Sequence, residues 1–226
     1  MRVLAIDTAL SACAAAVFDS TDRKVLASES LGMARGHAEA LMPLIARVMD
    51  QAGIEFADLD RVAVTLGPGS FTGLRVGISA ARGIGLAAGK PVVGVPTLSA
   101  YAAPQIANEA GAAIVVAIDA RHDHVYLQVF ASSGRTIVAP AVTPIAEAVR
   151  AAPGPVCLVG SGAALLAAAW PAGEQAPLIV DPQDAPSIVW VARLGVAAPN
   201  TDVAPTPLYL RAPDARPQDA ARLPRQ

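Results

Sequence analysis

The chain has 226 residues, with 17 lysines and arginines against 19 aspartates and glutamates, for a net charge of −2. This balance, without a cluster of basic residues, disfavours tight autonomous RNA binding, which needs a basic face that displaces counterions. The hydrophobic share is 54%, but no uninterrupted apolar stretch approaches the roughly 18 residues of a membrane span, and Asp7 stands where a signal peptide would still be apolar, so we expect a cytoplasmic protein without a membrane partner.

The first half of the chain predicts three strands followed by alternating helices and strands. Apolar runs predict strands over 3–7, 14–18 and 25–31, and an apolar stripe predicts a helix over 36–52 that ends before Gly53. A strand over 62–66, a helix from about Gly73 to 88, a strand over 92–95 and a helix over 97–108 follow. The predicted order is β-β-β-α-β-α-β-α.

The second half repeats this order. Strands are predicted over 114–119, 125–130, 136–142, 156–160 and 178–180, with helices over 144–151, 161–169 and 184–197. Val3, Ile6 and Phe18 match Val115, Ile118 and Phe130 at a constant offset of 112 residues. We therefore predict an internal duplication. The expected fold is α/β, with tandem lobes over 1–108 and 109–211, and a tail over 212–226 that is rich in proline and charge and predicted to be disordered.

A glycine turn lies at the centre of the first lobe. Gly67-Pro68-Gly69 turns the chain sharply, and Ser70 or Thr72 can cap the helix that follows. Free N–H groups at a helix N-terminus suit an anion such as phosphate, but the Gly-Lys-Ser/Thr of a P-loop is absent. The turn is either purely structural or an anion site.

One acid ends the first strand of each lobe, Asp7 in the first and Asp119 in the second, and these acids could hold magnesium or activate a nucleophile. The alternative is that each carboxylate accepts hydrogen bonds from its own hairpin turn. The second lobe also has a strand-glycine-helix segment at 159–163. The candidate nucleotide or anion site comprises Asp7, Thr8, Gly67, Gly69, Ser70, Thr72, Asp119, Gly160 and Gly162.

Two helices carry candidate contact surfaces. Small residues repeat at spacings of three or four along 73–88, at a cost of about 0.8–1 kcal/mol for each glycine, so another backbone must approach closely, either the helix's own sheet or a partner. The apolar stripe of 36–52 is wider than its own sheet requires, although Met42 and Met49 could instead fill core gaps. The candidate partner interface comprises Leu41, Met42, Ile45, Met49, Leu74, Gly77, Ile78, Ala81 and Arg82.

The segment 66–77, Leu-Gly-Pro-Gly-Ser-Phe-Thr-Gly-Leu-Arg-Val-Gly, closely resembles the signature of the TsaB (YeaZ-like) family. Pro207-Leu-Tyr-Leu-Arg211 and Asp119-Ala-Arg121 resemble two further motifs of that family. TsaB proteins are non-catalytic partners of the TsaD enzyme in making threonylcarbamoyladenosine on tRNA. They belong to the actin-like ATPase superfamily (ASKHA, ribonuclease H-like), in which a nucleotide lies between two lobes.

The resemblance implies an accessory subunit without catalytic residues that pairs with a TsaD-type paralogue through helices 36–52 and 73–88. It also implies a TsaE-type ATPase as partner, a homodimer in isolation, and tRNA contacted indirectly through the complex. No intrinsic cofactor is expected, while ATP or ADP can bind in the assembled complex. We expect Ile45→Asp with Met49→Asp to abolish pairing and leave the monomer folded.

The resemblance also bears on metal binding. TsaD carries its metal on two histidines four apart, where this chain has Thr97 and Tyr101, and neither is a suitable ligand. A metalloprotease activity is therefore not expected. His122 and His124 could share one face of a strand but lack a third ligand, so no metal site is predicted. His37 is interpreted as a packing or hydrogen-bonding residue rather than a catalytic one, and Cys13 and Cys157 as buried thiols.

Two other functions stay open. An independent actin-like phosphotransferase or ATPase would use Asp7 and Asp119, and slow ATP hydrolysis lost in Asp7→Ala would favour it. A homodimer with another client is the other alternative.

Overall fold

The computed structural model describes residues 1–109, 111–152, 154–200 and 203–211. The tail predicted over 212–226 lies outside the described residues. The first half of the chain contains β1 (Arg2–Asp7), β2 (Ala12–Asp19), β3 (Lys24–Gly32), α1 (His37–Ala52), a short 3-10 helix (Phe56–Asp58), β4 (Arg61–Gly67), α2 (Phe71–Ala88), β5 (Val92–Pro96) and α3 (Thr97–Ala107).

The second half contains β6 (Ala113–Arg121), β7 (His124–Phe130), β8 (Thr136–Pro144), α4 (Ile145–Ala148), β9 (Val156–Val159), α5 (Ala163–Ala168), β10 (Ile179–Asp181) and α6 (Ile188–Ala197). The predicted element order is confirmed in both halves. The helices α4, α5 and α6 are shorter than the ranges expected from the sequence. No helix in the described part of the chain is long and apolar enough to cross a membrane.

Each half forms one five-stranded sheet, and the two sheets have equivalent strand orders, β3-β2-β1-β4-β5 and β8-β7-β6-β9-β10. In both, the first strand is antiparallel to the second and parallel to the fourth. The α/β fold with two tandem β-β-β-α-β-α-β-α halves, predicted from the sequence, is therefore confirmed. The hairpin registers differ by one residue, because Val3 faces Phe18 whereas Val115 faces Val129, and a bulge interrupts β6 near Asp119.

The last helix of each half packs against the sheet of the other half. Leu98 and Tyr101 of α3 share a core with Ile114 and Ile118 of β6. In return, α6 covers one face of the first sheet, while α1 and α2 cover the opposite face. Gly195 permits the close approach of α6, because a Cβ there would overlap the side chain of Ala63. The lobe boundary at 108/109 remains a prediction, since helices cross it in both directions.

The buried Arg61 in β4 holds α6 in place. Its guanidinium donates to the carbonyls of Gly195 (2.6 Å) and Ala198 (2.7 Å) and to Oδ1 of Asn200 (2.6 Å). The last carbonyls of a helix lack intrahelical donors and carry partial negative charge. Arg61 therefore serves as a C-terminal cap for a helix about 130 residues away in sequence.

Candidate functional site

Asp7 lies at the end of β1, where the hairpin turn meets the glycine turn after β4. The carboxyl group is fully buried. Its Oδ1 accepts hydrogen bonds from Thr65 Oγ1 (2.6 Å) and the N–H of Ala9 (3.0 Å), while Oδ2 has no partner among the described residues. Burial raises the pKa of Asp7, opposed by the hydrogen bonds from Thr65 and Ala9 and by the charge of His37. These two hydrogen bonds hold the Asp7 side chain between the hairpin turn and β4.

The hairpin turn presses directly on α2. Thr8 Oγ1 donates to the carbonyl of Gly73 (2.7 Å). A Cβ on Gly73 would overlap the Thr8 carbonyl oxygen, and a Cβ on Gly77 would overlap Thr8 Oγ1. Farther along the helix, a Cβ on Gly85 would overlap Val92. Gly73, Gly77 and Gly85 of α2 are therefore required by packing within this chain.

The glycine turn is enclosed on two sides. The N–H of Ser70 donates to the Ala9 carbonyl (2.7 Å), and Ser70 Oγ caps α2 by accepting from the N–H of Gly73 (3.3 Å). On the other side, the N–H of Leu208 donates to the carbonyl of Leu66 (2.8 Å). Gly67, with φ +113°, lies against the carbonyl of Leu208. Thr72 is exposed. These contacts account for the turn structurally, and anion binding there stays a prediction.

The second lobe repeats the acid turn. Asp119 is exposed, and its Oδ1 accepts from the N–H of Arg121 (2.7 Å), two residues ahead, as Asp7 does from Ala9. Gly160 and Gly162 pack closely against the backbone of Ala117, and the N–H of Gly162 donates to its carbonyl (2.9 Å). The candidate residues thus form one cluster in each lobe, and both acids are bonded to their own turns.

Thr97 and Tyr101, which by resemblance stand where TsaD has its two metal-binding histidines, are buried. Tyr101 donates its hydroxyl hydrogen to the carbonyl of Gln183 (2.9 Å), and burial raises the pKa of Tyr101 well above its usual range. Thr97 Oγ1 is buried without a partner among the described residues. The described residues contain no group of three His, Cys, Asp or Glu side chains placed to hold a metal ion.

The histidines and cysteines have local contacts. His37, in the first turn of α1, lies with Nε2 3.0 Å from the carbonyl oxygen of Leu10 in the hairpin turn. His124 lies with Nδ1 2.6 Å from the carbonyl oxygen of His122. Cys13 and Cys157 are buried free thiols, as expected from the sequence, and burial raises the pKa of Cys13 to about 11.

Most of the residues predicted to contact a partner lie inside this chain. The buried ones fill the core between α1, α2 and the first sheet, and the exposed ones are Met42, with 49% of its surface accessible, and Arg82. Carboxylates at Ile45 and Met49 would thus disrupt the core. The expectation that this double variant leaves the monomer folded is therefore wrong. The buried residues are Leu41, Ile45, Met49, Leu74, Gly77, Ile78 and Ala81.

The outer faces of α1 and α2 leave an apolar groove of about 490 Å³ between them. Leu86 lies on the exposed side of α2 with 87% of its surface accessible. The sequence pattern alone did not separate this outer face from the inner one, because both are rich in small and apolar residues. The groove is lined by Met42, Phe56, Ala57, Ala80, Gly83, Ile84, Ala87 and Ala88.

The C-terminal segment 203–211 returns to the start of α2, a placement that the sequence did not predict. The rings of Tyr209 and Phe71 stack at 5.3 Å between centroids, and the Arg75 guanidinium lies 3.7 Å from the Phe71 centroid. Arg75 Nε donates to the Tyr209 hydroxyl (3.1 Å). Arg211 then reaches the carbonyl of Ala120 (3.1 Å) in the second lobe. The segment therefore connects the two lobes.

A family model described as TsaD, tRNA N6-adenosine threonylcarbamoyltransferase, matches residues 25–167. An uncharacterised protein of Mycobacterium tuberculosis (strain ATCC 25618 / H37Rv) is 40% identical over 218 residues, covering 95% of this chain and 94% of that protein. The tRNA threonylcarbamoyladenosine biosynthesis protein TsaB of Escherichia coli (strain K12) is 38% identical over 126 residues, covering 56% of this chain and 53% of that protein.

The solved structure of YeaZ from Pseudomonas aeruginosa matches with a TM-score of 0.71 and 29% sequence identity. The match covers 92% of this chain and 99% of YeaZ. The similarity in structure therefore extends over both lobes, whereas the similarity in sequence to TsaB covers about half the chain.

Proposed function

The chain belongs to the TsaB (YeaZ-like) branch of the TsaD family, and on that premise we propose that it is an accessory subunit in the synthesis of threonylcarbamoyladenosine on tRNA. It pairs with a TsaD-type enzyme, which transfers threonylcarbamoyl to the adenosine next to the anticodon. The observation that carries the proposal is the similarity to E. coli TsaB, joined to a structural match with YeaZ over nearly the whole chain.

The geometry of the turns supports a non-catalytic role. A general base or a magnesium ligand must reach the reacting group, but Asp7 is fully buried and bonded to Thr65 and Ala9. The Tyr101 hydroxyl is likewise engaged with the carbonyl of Gln183. These contacts favour the accessory subunit over an independent ATPase that uses Asp7.

The proposed pairing surface is the groove between α1 and α2. Burying the exposed side chains of Met42 in the groove and Leu86 beside it would contribute about 1.5–3 kcal/mol each, against an association cost of about 4–15 kcal/mol. Those side chains alone therefore scarcely offset the cost. The small residues Ala80, Gly83 and Ala87 let a partner helix approach closely and add dispersion contacts. The same surface would serve a homodimer in isolation.

The remaining partners follow from the pairing. A TsaE-type ATPase joins the pair, tRNA is bound mainly by the assembled complex, and ATP or ADP binds there rather than as a cofactor of this chain. Because the proposed substrate is tRNA, we infer that this chain acts in the cytoplasm.

The decisive experiment is tRNA modification in a reconstituted mixture. It contains threonine, bicarbonate, ATP, the adenylate-forming enzyme, TsaD and TsaE, with this chain added, omitted, or supplied without TsaD. We expect product only when both TsaD and this chain are present. Equal product without this chain would refute the proposal, and ATP hydrolysis by the chain alone, lost in Asp7→Ala, would then support the independent ATPase.

The pairing surface has a separate test. Met42→Glu combined with Ala87→Glu puts two charges into the groove at positions outside the core, so we expect a folded monomer that no longer co-purifies with TsaD. Leu178→Glu alters an exposed apolar residue of the second half and is the matched control, expected to pair normally. Normal pairing of the double variant would show that the partner binds elsewhere.

A further inference from the structure

An aromatic surface is exposed where the C-terminal segment meets α2. Among the phenylalanine, tyrosine and tryptophan side chains of the described residues, Phe71 and Tyr209 are the most exposed, at 43% and 41% of their surfaces, and they stack on each other. Arg75 lies over Phe71 and donates to the Tyr209 hydroxyl. The result is a stack of two rings and one guanidinium, held together by these contacts and partly accessible to solvent.

The charged residues of α2 beside these rings are all positive, although the whole chain carries a net charge of −2. α2 contains Arg75 and Arg82 and no acidic residue. The two arginines are seven residues apart, so they share one face of the helix at a separation of about 10 Å along its axis. None of the ion pairs between described residues involves either arginine.

A surface groove continues this edge. Arg82 and Lys90 line a depression of about 460 Å³ together with Val203, Ala204 and Pro205 of the C-terminal segment. The same two elements, α2 and the segment 203–211, therefore build both the aromatic patch and the basic groove. Proteins that bind single-stranded nucleic acid combine these two features, with rings that stack on bases and cations that follow the phosphates.

We propose that Phe71, Tyr209 and Arg75 form a stacking platform for a nucleobase, and that Arg82 and then Lys90, which lie progressively farther along α2 and just past its end, contact phosphates of the nucleotides that follow when the base belongs to an RNA strand. The base comes either from an unpaired nucleotide of tRNA or from a free nucleotide. Unpaired RNA bases are recognised by stacking on aromatic rings and on arginine guanidinium planes, which are the groups assembled here. Holding the C-terminal segment on α2 would require only packing, and an aliphatic side chain could supply that.

The choice of tRNA as the RNA probe rests on the proposed function, so pairing with TsaD is measured separately by gel filtration for each variant. The platform variant is Phe71→Leu with Tyr209→Leu, which keeps apolar bulk and removes the π-faces. Tyr209→Phe removes the hydroxyl and keeps the ring. Leu178→Ala, at an exposed site on the second half, is the control.

Each complex with TsaD is titrated with unmodified tRNA and, separately, with ATP and AMP. We expect the double leucine variant to bind one of these probes about 5- to 150-fold more weakly, the range for loss of one base–aromatic stack. Tyr209→Phe should bind within about twofold of the parent. A loss confined to tRNA identifies an RNA nucleotide as the occupant, and a loss confined to ATP or AMP identifies a free nucleotide.

Cross-linking gives an independent measurement. With 4-thiouridine placed at unpaired positions of the tRNA, or with 8-azido-ATP, the expected adducts map to residues 71–75 or 207–211. Unchanged affinity for all three probes in the double leucine variant, with no adduct in these segments, would overturn the platform. If the chain does not pair with TsaD at all, the proposed function fails, and the same titrations on the chain alone still decide the platform.

Discussion

Asp7 holds a carboxyl group inside the protein, and only one of its two oxygens is hydrogen-bonded to the described residues. Burial raises its pKa above the value of about 3.9 that an unfolded chain would have. Between those two values the folded protein binds more protons than the unfolded chain. The free energy of unfolding therefore decreases as the pH rises through this window.

Asp7→Asn tests this linkage. Asparagine keeps an acceptor for Thr65 and Ala9 but cannot ionise, so we expect the variant to gain stability relative to the parent protein as the pH rises from about 4 towards neutrality. Urea unfolding at a series of pH values measures the difference. Asp119→Asn, at an exposed turn with the same hydrogen-bond pattern, is the control. Parallel pH profiles for Asp7→Asn and the parent would contradict a raised pKa of Asp7 in the folded protein.

Arg61 stabilises the protein through the end of α6. Arg61→Met keeps the apolar stem and removes the donors to the buried carbonyl of Gly195 and the part-buried carbonyl of Ala198. We expect a loss of about 2–4 kcal/mol in the free energy of unfolding. Arg47→Met, which breaks a surface ion pair with Glu29, should cost much less. Equal effects in chemical unfolding would show that Arg61 does not act as a cap.

At the residue scale, the sequence indicated the turn acids and the helix cap but not their environment. Asp7 and Asp119 were recognised as equivalent, and both accept from the N–H two residues ahead. Their contrast in burial depends on neighbours from other elements, such as Thr65 and His37, which no local pattern brings together. The role of Arg61 was missed because its partners are about 130 residues distant.

At the scale of elements, α2 contains glycines of two kinds. Gly73 is required because a Cβ would overlap the Thr8 carbonyl, whereas nothing lies within 4 Å of the Cβ position at Gly83. Gly73→Ala should cost about 1–3 kcal/mol through overpacking. Gly83→Ala should stabilise by about 0.8–1 kcal/mol through helix propensity. Thermal unfolding of the two single variants distinguishes them, and effects of the same sign would refute this division.

The glycine spacing of α2 correctly predicted a close approach by another backbone, and the structure identifies it as the hairpin turn of the same chain. The stripe on α1 predicted an apolar face but not which part faces the sheet. Leu41 and Ile45 point inward while Met42 is exposed. Such a choice depends on the rotation of the helix about its axis, and that rotation is set by packing against β2, β3 and α2.

At the scale of the molecule, α3 and α6 join the two halves by packing on each other's sheets. The order of elements along the chain and the duplication were predicted from periodicity and from the constant offset between halves. The crossing of the helices was not, because an apolar helix face is compatible with either sheet. The sequence likewise identified residues 207–211 as a motif but did not predict that Tyr209 and Arg211 connect the two lobes.

The crossing predicts the behaviour of an isolated first half. A fragment of residues 1–108 lacks α6, which covers one face of the first sheet, so we expect it to bind a hydrophobic dye and to unfold without a sharp thermal transition. Adding a peptide of residues 186–200 should restore cooperative unfolding. A fragment that unfolds cooperatively without the peptide would refute the interdependence of the halves.

The same crossing sets an order of events during synthesis. About 90 residues separate the end of β5 from the start of α6, which takes a ribosome roughly 5 to 18 s at ordinary rates. Throughout that interval one face of the nascent first sheet lacks α6, its main cover. Half of the buried sheet residues on that face are alanines, namely Ala5, Ala14, Ala16 and Ala63. Alanine exposes little apolar area, so the growing chain presents a weakly adhesive surface until its last helix emerges.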